Sequence, residues 1–80
     1  MPRLLIIAST GPEDPTRASI PFHIAANGAG PAGVEVGVAF AGDAADLVKA
    51  DVIASVRGVG LPPLSDLMAK CVAQGISFYI

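Results

Sequence analysis

Leu4-Leu5-Ile6-Ile7-Ala8 is an unbroken apolar run of strand length, and the turn-rich stretch Ser9-Thr10-Gly11-Pro12-Glu13-Asp14-Pro15 follows it directly. A strand with one wet face alternates polar and apolar residues. A run that is apolar at every position suits a parallel strand covered by helices on both sides. The chain is therefore expected to build an α/β domain with a parallel sheet, with its first strand at the sheet centre.

The remaining elements follow from spacing. Asp14 is placed to cap a helix whose first position is Pro15. That helix is predicted to run to about Asn27 and to stop at Gly28; Pro21 predicts a kink, or a start delayed to Ser19. Val34, Val36, Val38 and Phe40 alternate with Glu35, Gly37 and Ala39, the period of a strand. Asp43 is predicted to cap a second helix, with Asp46 in its first turn, Val48, Val52 and Val56 as its apolar stripe, and Gly58 and Gly60 as its end. After Pro62-Pro63, the residues Leu64, Leu67, Met68, Cys71 and Val72 fall at i, i+3, i+4, i+7 and i+8, which predicts a third helix stopped by Gly75. Ile76-Ser77-Phe78-Tyr79-Ile80 reads as the last strand. The order is βαβααβ in one domain over residues 1–80, with strands near 3–9, 34–40 and 76–80 and right-handed crossovers.

Gly28-Ala29-Gly30-Pro31-Ala32-Gly33 matches the letters of a dinucleotide-binding fingerprint. That mechanism needs a strand before the first glycine and a helix opening at the third, so that the helix N-terminus meets the pyrophosphate. Here a helix precedes and a strand follows, so the segment reads as a glycine-rich helix-to-strand connection, and no cofactor is expected.

With 80 residues, 52% apolar and only 15% charged, there is little polar surface to cover a small domain. A chain of this size buries roughly 60–65% of its unfolded surface. Assembly is therefore expected: a cyclic homo-oligomer, or poor solubility for the chain alone. The five basic residues are scattered and the net charge is −2, which argues against a nucleic-acid partner. The apolar run is too short to span a bilayer and no signal-cleavage pattern follows it, so no membrane association is expected and the cytoplasm is the expected compartment. One cysteine forms no internal disulfide and builds no zinc site, and no metal is expected.

Three stretches in order, Leu5–Pro15, Val36–Ala44 and Val56–Leu64 leading through Ala73-Gln74-Gly75-Ile76, resemble the DsrE/DsrF-like sulfur-relay family across essentially all 80 residues. The resemblance implies a three-layer, flavodoxin-like fold, assembly as homotrimers or hexamers, a possible relay partner protein, and sulfane-sulfur handling. It also implies a persulfide-bearing cysteine just after the third strand. That position would follow Ile80, so the resemblance implies that about a third of the family's length is missing from the C-terminal end, the reactive group included. A UGA codon meant for selenocysteine is one account of that end, and the nucleotide sequence past Ile80 decides it.

Cys71 is the one thiol and so a weak candidate for sulfur transfer, but its place on the apolar stripe at a helix C-terminal end favours a core residue. Ser9, Thr10 and Gly11 lie at the carboxyl end of the first strand, where open α/β sheets bind ligands, and with His23 they form the candidate ligand-binding set. Each also has a structural reading: a simple loop for the three, a half-buried packing residue for His23. Arg57 is a candidate anion contact or simply an exposed charge at a helix end. No nucleophile has a base beside it and no carboxylate pair has useful spacing. Two functions stand side by side: a sulfur-relay protein, resting on the resemblance, and a non-catalytic oligomeric module that binds a small ligand or a partner.

Overall fold

The computed structural model describes residues 2–80. Three parallel strands, β1 (Arg3–Ala8), β2 (Glu35–Phe40) and β3 (Ser77–Tyr79), form one sheet in the order β1-β2-β3. The register sets Arg3 opposite Glu35 through Ala8 opposite Phe40, and Gly37 opposite Ser77 through Ala39 opposite Tyr79. Between the strands come α1 (Pro15–Ile24), a 3-10 segment (Gly42–Val48), α2 (Ala50–Ser55) and α3 (Leu64–Ala73). The α/β class, the parallel sheet and the βαβααβ order are as expected.

The first strand is not central; β2 is. Both crossovers step the same way along the sheet, so right-handed connections bring all the helices to one face. The burial agrees with this. Ala8, Val36, Val38 and Phe40 share a single core with Ala18, Phe22, Leu47, Leu64, Leu67 and Cys71 from the helical segments. Among the described residues the helices supply one covering layer, and the sheet's second face carries none. Leu5 and Ile7, the half of the β1 run that suggested cover on both sides, stand on that second face.

Local chemistry explains where each element starts and stops. Asp14 caps α1, its Oδ1 accepting from the Arg17 N–H at 3.2 Å, and the helix begins at Pro15 rather than at Ser19. It does not stop at Gly28. It widens into a π-helical segment, Ala25–Ala29, in which the Gly30 N–H donates to the Ala25 carbonyl at 3.0 Å. The Gln74 side chain props this wider turn, donating through Nε2 to the Ala26 carbonyl at 2.8 Å.

The second helix breaks in two. Asp43 lies inside the 3-10 segment and caps nothing; the residue at the cap position is Ala41. Lys49, extended at ψ 132, separates the 3-10 segment from α2, and its Nζ pairs with Asp46 at 3.2 Å. The Val48/Val52/Val56 stripe needs one continuous helix, so the break scatters it: Val56 is buried, Val52 half-buried and Val48 exposed.

In α3, Leu64, Leu67, Met68 and Cys71 are buried, and Val72 is exposed. At about 100° per residue, Val72 lies roughly 90° from the middle of that face. Gly75, at φ 72, ends the helix as expected. Its N–H donates to the Val72 carbonyl and the Ile76 N–H to the Cys71 carbonyl, both at 3.1 Å, the paired bonds of a Schellman stop.

Candidate functional site

Ser9, Thr10 and Gly11 sit at the carboxyl end of β1, where the sequence put them, with Ser9 exposed, Thr10 half-buried and Gly11 buried. The Glu13 carboxylate accepts from the Gly11 N–H at 3.3 Å, and Asp14 already occupies the N-terminus of α1. A Cβ on Gly11 would lie 2.4 Å from the Asp43 carbonyl oxygen, so this loop is closed against the start of the 3-10 segment. With the Glu13 carboxylate on the Gly11 N–H and the Asp14 carboxylate on the Arg17 N–H, the helix N-terminus offers an anion no free cradle.

His23 belongs to the other end of the molecule. It lies eight residues into α1, about 12 Å along the axis from Pro15, and α1 runs back toward the amino ends of the strands. The fold therefore does not join it to Ser9, Thr10 and Gly11. It joins a relay that sequence reasoning missed. Lys70 Nζ donates to Asn27 Oδ1, and Asn27 Nδ2 donates to His23 Nδ1 at 3.1 Å. That arrangement makes Nδ1 the acceptor and leaves the ring hydrogen on Nε2 in the neutral tautomer. Asn27 is i+4 from His23, a visible spacing; Lys70, 43 residues further on, has no local signal. The relay ties α1 to α3, beside Gln74.

Cys71 is fully buried, its Sγ 3.9 Å from the Phe22 carbonyl, and burial pushes its thiol up from the ordinary value. A high thiol pKa and no solvent access are the reverse of what a sulfur carrier needs. Arg57 is exposed, just beyond α2, where its backbone bridges to Pro63.

The feature that stands out is the uncovered sheet face. Leu5, Ile7 and Tyr79, each 58% exposed, surround Gly37 and Ala39. The Tyr79 ring lies across Gly37, where a Cβ would come within 3.0 Å of Tyr79 Cε2 and 3.6 Å of Leu5 Cδ1. Toward the amino ends of the strands this face deepens into an open groove of ≈ 950 Å³, lined by Arg3, Leu5, Gly30, Glu35, Gln74 and Tyr79. Its charged rim is the Arg3–Glu35 pair at 2.9 Å, which is solvent-exposed and contributes little to stability. Tyr79 was legible only as part of a strand, because its place over Gly37 depends on the β2–β3 register.

Among the described residues, no group of three or more His, Cys, Asp or Glu side chains could hold a metal ion, and no helix is long and apolar enough to cross a membrane. Comparison with protein-family models, curated proteins and solved structures found no match to this protein.

Proposed function

We propose that the chain is a non-catalytic, homo-oligomeric α/β binding module whose uncovered sheet face is its contact surface. The observation that carries this reading is the apolar patch of Leu5, Ile7 and Tyr79 around Gly37 and Ala39 on a parallel sheet. All-parallel sheets occur almost only with both faces covered. The Tyr79 ring lies over Gly37 beside Leu5, an apolar surface that another apolar layer can cover. A standard interface takes about 800 Å² from each partner, a modest share of the 4460 Å² surface. The resemblance to a family of homotrimers and hexamers supports a second copy as that layer. Light scattering coupled to size-exclusion chromatography at tens of micromolar tests it. The native protein is expected at a multiple of 8.0 kDa, and Tyr79→Asp, which sets a charge in the patch, is expected to shift the population toward a smaller assembly. A sharp native peak at monomer mass would sink the proposal.

The sulfur-relay role implied by the resemblance is the weaker reading for these residues, because the one thiol present is fully buried. A polysulfide donor is expected to leave folded Cys71 unmodified by mass spectrometry, and a thiol reagent is expected to label it only on denaturation. Added sulfur on Cys71 under native conditions would reverse the preference.

A further inference from the structure

We infer that the outer edge of β1 is itself a pairing site, and that two copies of the protein join there, antiparallel about a two-fold axis at Leu5, into one six-stranded sheet. The inference rests on the self-association reading and says how the copies meet. β1 has a neighbour on one side only. The Pro2 and Ala8 carbonyls accept from the Glu35 and Ala41 N–H groups at 3.0 and 2.8 Å. Backbone groups alternate in direction along a strand, so Leu4, Ile6 and Ala8 turn theirs toward β2. Arg3, Leu5 and Ile7 present theirs outward: three N–H and three C=O groups with no partner among the described residues.

A two-fold axis at Leu5 matches these groups with nothing left over. Arg3 comes opposite Ile7 of the second copy, Leu5 opposite Leu5, and Ile7 opposite Arg3. All three are pairs that exchange both hydrogen bonds. An axis moved to Ile6 would draw on Ser9, which lies beyond the strand. The edge lacks the usual guards, for it has no interior proline, and its one charge is Arg3 at the start. Self-complementarity under a two-fold is what makes the occupant a second copy rather than an unrelated strand.

Side chains on the helical side agree. α1 turns Ala18 and Phe22 into the core and His23 and Asn27 toward α3. At about 100° per residue, that leaves Pro21 on the flank above the outer edge of β1. Pro21 is half-buried there, and Leu4 below it is exposed. With strands about 4.8 Å apart and each α1 above its own β1–β2 pair, the two α1 axes come to about 10 Å, the upper end of helix-packing distances. Leu4 then packs opposite Ile6 of the second copy. Such a dimer fits a hexamer but not a bare trimer.

Amide hydrogen exchange by NMR tests this on the native protein. The Arg3, Leu5 and Ile7 amides are expected to exchange at least tenfold more slowly at high concentration than at low, while the Leu4 and Ile6 amides, bonded to β2, stay unchanged. Leu5→Pro removes the outward N–H at the axis, and is expected to abolish the concentration dependence while circular dichroism shows a folded protein; Leu5→Ala, which trims the side chain but keeps that N–H, is expected to retain it. In Tyr79→Asp the protection is expected to persist, because that residue lies off the edge. An assembly in which the Arg3, Leu5 and Ile7 amides exchange freely at every concentration would overturn edge pairing and leave face-to-face association standing. A native monomer at tens of micromolar would overturn both.

Discussion

Phe22→Ala is expected to leave the protein barely folded. The Phe22 ring is fully buried and meets Phe40 at 5.5 Å and Phe78 at 6.2 Å, and those two meet each other at 5.4 Å. The three phenylalanines are all that the sequence contains, and they come from α1, β2 and β3. One cluster therefore fastens the first crossover helix to the central strand and to the last. Truncating a buried Phe costs about 3–5 kcal/mol through lost transfer energy and the cavity left behind. A domain this small holds only about 0.05–0.15 kcal/mol per residue in total, and the smallest surrounding residues, Ala18, Ala25 and Ala26, offer no long side chain to refill the space. Urea denaturation followed by circular dichroism reads the loss directly. Val72→Ala on the exposed flank of α3 is the control, expected within about 0.5 kcal/mol of native. A Phe22→Ala loss below about 1 kcal/mol would mean that the aromatic cluster does not organise the core.

What the sequence made legible was local. The cap at Asp14, the stop at Gly75 and the α3 stripe through Cys71 each depend on residues within one or two turns, and each is in place. The alternation of Val36, Val38 and Phe40 predicted a strand, and these three residues form its buried face. What failed depends on long-range partners. The composition of β1 says that both its faces want cover, but strand order is set by how the crossovers step across the sheet, and a single segment carries no trace of that. Val48, Val52 and Val56 share a stripe only while the helix is unbroken, and the chain is extended at Lys49, between the 3-10 segment and α2. The candidate ligand set divided for the same reason: Ser9, Thr10 and Gly11 lie at the start of α1 and His23 near its end. The patch on the open face, built from Leu5, Gly37 and Tyr79, exists only once the β1–β2–β3 register is known. That the face is apolar was implicit in the unbroken β1 run; that it stays uncovered was not.

Gly11→Ala should destabilise the fold and Gly28→Ala should stabilise it, although both glycines flank α1, one in the loop before it and one in the π-helical segment after it. At Gly11 the backbone angles suit any residue, and the cost is contact alone: a Cβ would sit 2.4 Å from the Asp43 carbonyl oxygen and 2.9 Å from its carbon. Those are main-chain atoms, so no side-chain rotation relieves the clash. Nor can the two segments separate freely, because the Ala41 N–H holds the Ala8 carbonyl at 2.8 Å between them. Relief means parting the carboxyl ends of β1 and β2, and overpacking of this kind costs about 1–3 kcal/mol. Gly28 has nothing within 4 Å of its would-be Cβ and no positive φ, so alanine there only narrows the unfolded ensemble, a gain of about 0.4–1 kcal/mol. Denaturant midpoints of the two variants should move in opposite directions from native. A neutral Gly11→Ala would show that the loop of Ser9, Thr10 and Gly11 is free to open away from Asp43, and would restore the carboxyl end of β1 as a place where a ligand could enter.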